Sequence, residues 1–330
     1  LVAWLRFGVQ SMILTTNGVT GFRALLGVFA LATCGWGGSV QAGDAPEWVT
    51  APVAAPNVSQ QVFFSAAVGA PVSYHVYLPD AYATQPQRRF PVLYWLHGSN
   101  SVLTGIAPVS AYFDAAIDAG RIPSLILVFA NGLPQGMWCD AESGLQPVES
   151  MVVDDLLPEV DARFRTLSQA SARLVEGFSM GGYGAARLAL LYPDRFGAAS
   201  MLGAGPLQLD FLVDDPNLQP IEVRQRILAE VYGNSPAVFE ARSPWRLAEQ
   251  YPPAPGYRLR QIIGTLDFTL GPNRDFQAHL DELGIAHNYI EVPNVGHSVP
   301  GIINTLGDGF WAFHREALRD VDSLLADGFE

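Results

Sequence analysis

The sequence predicts an α/β protein, a mostly parallel central sheet flanked by helices, with a helical insertion late in the chain. Three observations carry this. Short continuous apolar runs such as Pro91–Leu96 (PVLYWL) and Leu125–Ala130 (LILVFA) have the length and content of strands buried on both faces. Stretches with helical spacing stand between them, and regular alternation of the two builds a doubly wound sheet. The third observation is Ala172–Gly184 (ARLVEGFSMGGYG), where a strand-like run ends abruptly in Gly177-Phe178-Ser179-Met180-Gly181 and a helix-like run follows. A turn this sharp makes bulky residues two before and two after the serine collide, so both positions call for glycine. The serine hydroxyl is left exposed at the end of the sheet.

Taken in order, the chain opens on a segment that reads as targeting over residues 1–42. Arg23 precedes the apolar run Ala24–Ala32, and Val40-Gln41-Ala42 offers small residues for cleavage. Met12 is a candidate start. The expected location is therefore outside the cytoplasm, periplasmic or secreted. Gly35, Gly37, Gly38, Ser39 and Gln41 make the run poor for a membrane span, which needs about 20 apolar residues. Leu31-Ala32-Thr33-Cys34 loosely resembles a lipoprotein box, so a lipid anchor on Cys34 competes with cleavage after Ala42. With Cys34 removed, Cys139 has no partner for a disulfide.

Residues 43–60 are rich in Ala, Pro and Val without a period and read as a leader or linker. The folded domain is expected over 61–320, followed by a short tail over 321–330. Gln61–Val68 and Val72–Leu78 suggest an antiparallel hairpin. Helices are expected at Ala107–Ala119, at Met151–Phe164 with a kink at Pro158, and at Tyr183–Leu191. Arg173–Val175 and Phe196–Leu202 read as strands. Leu207–Pro255 then breaks the rhythm, with helical stretches at Ile221–Tyr232 and Pro236–Gln250 among several prolines, and reads as a cap over the carboxyl ends of the strands. A strand at Arg258–Ile263, a helix at Asn273–Leu283, a strand at Asn288–Val292 and a helix at Ile302–Leu318 complete the pattern.

Composition excludes several function classes. The 330 residues can bury a sizeable core, and a net charge of -13 disfavours nucleic acid and anionic membranes as partners. Every basic residue is arginine, which removes lysine nucleophiles and Schiff bases. No metal site is expected, because no histidine pair has helical ligand spacing and two cysteines cannot hold a structural zinc unaided. Gly203-Ala204-Gly205 lacks the third glycine of a dinucleotide fingerprint, so no cofactor is expected either.

A serine hydroxyl is a weak nucleophile near neutral pH and needs a base within hydrogen-bond reach, itself oriented by a carboxylate. After an elbow of this kind the chain order is Ser, then Asp or Glu, then His. Asp267 lies in Gly264-Thr265-Leu266-Asp267 after one strand, and His297 in Pro293-Asn294-Val295-Gly296-His297-Ser298 after the next. Asp275 and Glu291 are the fallback carboxylates. His75, His279, His287 and His314 read as surface or packing residues. Donors for an oxyanion are expected from the backbone N–H groups of Met180 and Ser99, and Asn100 and Trp138 are candidates for lining the substrate pocket.

On these residues the chain resembles the Putative esterase family of alpha/beta hydrolases, which includes S-formylglutathione hydrolases, feruloyl-esterase-like domains, enterochelin esterases and secreted mycolyltransferases. The resemblance covers about Val62–Leu318. Its most specific part is Gly177–Gly184 with Tyr192-Pro193-Asp194-Arg195-Phe196-Gly197 following; Leu96-His97-Gly98, the segment Asp154–Thr166 and Val231–Pro236 are further family-like segments. It implies the alpha/beta-hydrolase fold, Ser179, Asp267 and His297 as a triad, Ser99 and Met180 as oxyanion donors, and a small-molecule or carbohydrate-linked ester as substrate. Ser99-Asn100 after His97-Gly98 and the composition of the cap depart from the family pattern and leave the substrate open. The expected activity is that of an exported serine esterase working through an acyl-enzyme. Transfer of the acyl group to a sugar or alcohol is the enzymatic alternative, and a non-catalytic binding module on the same fold is the alternative from another class. The oligomeric state is left open.

Overall fold

Eight strands form one sheet in a computed structural model, which describes residues 46–215 and 218–319. They are β1 (Val58–Ser65), β2 (Ala70–Tyr77), β3 (Val92–Leu96), β4 (Ile126–Phe129), β5 (Arg173–Phe178), β6 (Ala198–Leu202), β7 (Arg258–Gly264) and β8 (Asn288–Val292). The order across the sheet is β1-β2-β4-β3-β5-β6-β7-β8. β1 pairs antiparallel with β2 and β2 antiparallel with β4, while β3 to β8 run parallel. The targeting segment and the tail lie outside the described residues.

Helices cover both faces, as a parallel sheet requires. They are α1 (Asp80–Thr84), α2 (Ile106–Asp118), α3 (Val148–Ser150), α4 (Leu157–Arg163), α5 (Met180–Leu191), α6 (Ile221–Tyr232), α7 (Pro236–Arg242), α8 (Pro244–Gln250), α9 (Leu270–Glu282), α10 (Val299–Leu306) and α11 (Asp308–Ala317). Alternation along β3 divides the core in two. Val92, Tyr94 and Leu96 face the layer that holds α5 and the insertion, whereas Leu93 and Trp95 face α2, α10 and α11.

Several boundaries differ from the sequence expectation, each for a local reason. The described part of the supposed linker, 46–57, packs on the domain: Trp48 is buried, the Ser73 N–H donates to its carbonyl at 2.8 Å, and the Asn131 amide donates to the carbonyls of Glu47 and Trp48. β1 accordingly starts at Val58. The helix expected over Met151–Phe164 is a π-helix at Met151–Leu156 running without a break into α4, with Pro158 just past the junction, so the wide π turn falls where the proline offers no N–H to the helical ladder. The helical stretch expected over Pro236–Gln250, with Pro244 interrupting it, is two helices, because Ser243 precedes Pro244 and is held extended at ψ 151. The last helix is also two, divided at Gly307 with φ 53.

The insertion is continuous with the core. Phe211, Tyr232 and Phe239 are fully buried, with Phe211 and Phe239 stacked at 4.3 Å between ring centroids. Arg187 of α5, itself buried, donates to the Arg242 carbonyl and pairs with Glu149, which ties α7 to the body of the domain.

Beneath the strand ends lies a row of buried polar residues in register: Glu176 of β5 opposite Ser200 of β6, opposite Arg260 of β7. Arg260 donates to Ser200 Oγ at 3.0 Å and to the Phe310 carbonyl at 2.6 Å, and sits 3.4 Å from Glu176 Oε1. His314 of α11 reaches the other Glu176 oxygen at 2.6 Å. Burial lowers the Arg260 pKa to about 10, so the cation survives at neutral pH and the pair crosslinks three strands to α11.

Candidate active site

Ser179 stands between the end of β5 and the start of α5 with φ 58 and ψ -119, a backbone conformation that L-residues rarely adopt. Surrounding contacts hold it there. Its N–H donates to the Leu202 carbonyl at 2.9 Å and its carbonyl accepts from Tyr183 and Gly205. The flanking glycines are obligatory, since a Cβ on Gly177 would lie 2.3 Å from the Gly181 carbonyl oxygen and one on Gly181 only 1.9 Å from that of Leu96. The turn thus closes directly onto the end of β3.

Asp267 and His297 follow β7 and β8, and the sheet brings their loops to the same edge. His297 Nδ1 lies 2.8 Å from Asp267 Oδ2. Asp267 is 5 % exposed, and its other oxygen accepts from both the N–H and the hydroxyl of Thr269, each at 2.9 Å. A carboxylate held on both oxygens can turn only by breaking one set of bonds. The His297 ring is clasped by Phe178 at 4.4 Å and Phe268 at 4.5 Å. Gly203 passes so close that its Cβ would touch Phe178, Asp267 Oδ2 and His297 Cε1, so a side chain there would wedge the group apart. With Nδ1 turned to the carboxylate, Nε2 is left to exchange protons with a neighbouring hydroxyl.

Gly98 lies against Ser179, its would-be Cβ 3.2 Å from the serine Cβ. The N–H groups of Ser99 and Met180 make no hydrogen bond among the described residues, and Met180 opens α5, where the first N–H groups lack intrahelical acceptors. The loop carrying Ser99 is fixed by a residue that the sequence reading left unassigned, His97. Its Nε2 accepts from the Gly132 N–H at 3.1 Å, which puts the proton on Nδ1 for donation to the Gly98 carbonyl at 2.8 Å. Burial drops its pKa to about 4, so this neutral tautomer persists at physiological pH.

Ser99 and Ser179 line a cleft whose far wall comes from the insertion, through Phe211, Arg224 and Ile227. A second cleft opens on the His297 side, between Gly98, Tyr112 and Val299. Two expected pocket residues are corrected. Trp138 is 1 % exposed, packs on Gly132, Gly184 and the His97 ring, and donates its indole N–H to the His97 carbonyl; Met137 lines the cleft in its place. Asn100 is exposed at φ 56 and its N–H donates to the Pro134 carbonyl, outside both clefts. Glu291 pairs with Arg274 and Asp275 is exposed on α9, so neither fallback carboxylate is the partner of His297.

Thr269 and Arg224 also escaped the sequence reading. Thr269 carried a signal, because an aspartate two residues before a threonine invites the short side-chain-to-backbone turn observed here. Arg224 carried none, since it reads as one more charge on an amphipathic helix.

Comparison with known proteins bears on the fold and the family. The chain is 31% identical over 258 residues to Esterase Rv1288 of Mycobacterium tuberculosis (strain ATCC 25618 / H37Rv), a match covering 71% of this chain and 54% of that protein. The chain therefore spans about half the length of that curated relative. Among solved structures, an S-formylglutathione hydrolase from Agrobacterium tumefaciens superposes with a TM-score of 0.62 at 20% identity, covering 81% of this chain and 98% of that one. A ferulic acid esterase from Anaeromyces mucronatus, in complex with ferulic acid, gives 0.59 at 16% identity, covering 83% and 96%. At such identities these two speak for the alpha/beta-hydrolase fold alone. The family described as Putative esterase matches residues 65–269, most of the described domain, and the chain belongs to that family.

Proposed function

We propose that the protein is an exported serine esterase that hydrolyses a small-molecule or carbohydrate-linked carboxylic ester through an acyl-enzyme. The observation that carries the reading is the His297–Asp267 hydrogen bond of 2.8 Å at the same sheet edge as a serine held on a strained, glycine-flanked turn. Family membership supports it. Ser179 Oγ attacks the ester carbonyl carbon while His297 Nε2 takes the hydroxyl proton, and the negative oxygen of the tetrahedral intermediate faces the N–H groups of Ser99 and Met180. Collapse breaks the bond to the alcohol, which leaves with the proton from His297. Water then repeats the sequence on the acyl-enzyme and releases the acid.

Export rests on the pattern of residues 1–42. Among the described residues, no helix is long and apolar enough to cross a membrane. Sequencing the N-terminus of protein recovered from the periplasm or the medium checks it, with cleavage after Ala42 expected.

Ser179→Ala is expected to abolish both hydrolysis of short p-nitrophenyl esters and labelling by a fluorophosphonate probe. A variant with near-parental turnover overturns the assignment of the nucleophile.

A further inference from the structure

Arg224 is the unusual group in the cleft beside Ser179. It is 4 % exposed, and its guanidinium is held entirely by backbone carbonyls: Nε donates to Gln219 at 2.9 Å, and Nη1 donates to Phe211 at 2.7 Å and to Val213 at 2.9 Å. It forms no ion pair among the described residues, and Nη2 has no hydrogen-bond partner among them. Asp210 and Asp214 of the same loop are exposed, and Asp210 Oδ1 accepts from the Leu212 N–H. A buried cation without a counter-charge is rare, because desolvation of the charge is left uncompensated. In a chain of net charge -13 it is not the by-product of a basic surface.

A second, independent group points to the same place. Gln208 also lines this cleft, and its Oε1 is buried without a hydrogen-bond partner. Amide oxygen and nitrogen exchange places by a simple flip, so Gln208 can present either an acceptor or two donors. Phe211, Phe268 and Ile227 add apolar surface to the wall of the cleft.

We infer that Arg224, with Gln208, forms a carboxylate subsite in the cleft that holds Ser179, so that the preferred ester carries a carboxylate on the acyl or the alcohol half. The inference rests on the esterase reading above. One carboxylate oxygen accepts from Arg224 Nη2 and the other from the amide Nε2 of Gln208, and the carboxylate so supplies the charge that the fold withholds from Arg224. Phe211 and Ile227 then cover the chain between that carboxylate and the ester.

The test compares matched esters at low ionic strength. For the acyl half these are 4-nitrophenyl hydrogen glutarate and 4-nitrophenyl valerate; for the alcohol half, 4-(butyryloxy)benzoate and phenyl butyrate. The expected result is a kcat/KM at least tenfold higher for the acidic member of one pair, a preference that shrinks as NaCl rises. Arg224→Gln lowers kcat/KM for that acidic ester at least tenfold more than for its neutral partner, and Arg224→Lys, which keeps the charge but lacks the Nη2 donor, retains only part of the preference. Absence of preference in both pairs overturns the inference while leaving the esterase reading intact. An equal fall for both members of the preferred pair in Arg224→Gln also overturns it, because Arg224 then only pins the carbonyls of Phe211, Val213 and Gln219. Failure of the parent to hydrolyse any of the four, neutral esters included, overturns both.

Discussion

His97 and Gly132 are joined by a backbone-to-ring hydrogen bond, Gly132 N–H to His97 Nε2 at 3.1 Å, and this bond ties the loop after β3 to the loop after β4. It exists only while the imidazole is neutral, since a protonated ring has no acceptor left for the Gly132 donor.

A pH dependence of stability follows. His97 has its pKa lowered by burial to about 4, below the value of about 6.5 for the unfolded chain. Between these values the unfolded state binds more protons, so stability rises with pH. The contribution is fully present above pH 6.5 and is lost as pH falls towards 4. From pH 7 to pH 5 the loss from His97 alone is about 2 kcal/mol. His75 and His314, also lowered by burial, act in the same direction. Urea unfolding at the two pH values measures the drop, and His97→Asn is expected to reduce it by about that 2 kcal/mol; an unchanged drop removes His97 from the account.

Asp267 carries the charge that orients His297. Asp267→Asn keeps the shape and removes the charge, leaving the imidazole free to adopt the wrong tautomer. On p-nitrophenyl butyrate, kcat is expected to fall by roughly 10³–10⁴. Thr269→Val deletes one of the two donors to Asp267 Oδ1 and is expected to lower kcat by about threefold to tenfold, the effect of one lost hydrogen bond. Circular dichroism of both variants should match the parent.

Ser179 stores backbone strain at φ 58 and ψ -119, a conformation open to glycine. Relief of about 1–3 kcal/mol outweighs the extra freedom that glycine gains in the unfolded chain, roughly 0.5–1 kcal/mol. Both variants are expected to be inactive, yet Ser179→Gly is expected to unfold at a higher temperature than Ser179→Ala, as differential scanning fluorimetry will show.

The Arg187–Glu149 pair anchors α7 and the insertion. Tyr192 donates to the second Glu149 oxygen at 2.8 Å, so the carboxylate is satisfied on both sides. Glu149→Ala leaves a buried guanidinium without its counter-charge and is expected to lose about 3 kcal/mol in urea unfolding. The double variant Glu149→Leu with Arg187→Met is expected to recover at least half of that loss.

Much of the site could be read without coordinates. Gly177 and Gly181 announce the turn because nothing larger fits where a strand reverses into a helix, and Asp267 and His297 follow in the order that the topology demands. The strands of the inner sheet were legible for a related reason: burial on both faces forces continuous apolar runs, and such runs survive in any reading of local composition. Pro244 marked the division at Ser243, whereas the division at Gly307 was less legible, because hydrophobic spacing continues across it.

What the chain alone determined is therefore local: the elbow, the alternation of strand and helix, and the chain order of Ser179, Asp267 and His297 at the ends of their strands. Tertiary structure decided which polar groups meet. Glu176, Ser200 and Arg260 lie far apart in sequence and become one row only through strand register. Trp138 reads as a pocket aromatic but is spent on packing against Gly132 and Gly184, and Arg224 reads as a surface charge until the insertion folds it down beside Ser179. The physical reason is that backbone conformation and apolar periodicity are set by near neighbours, whereas the partner of a buried charge is set by where the chain returns.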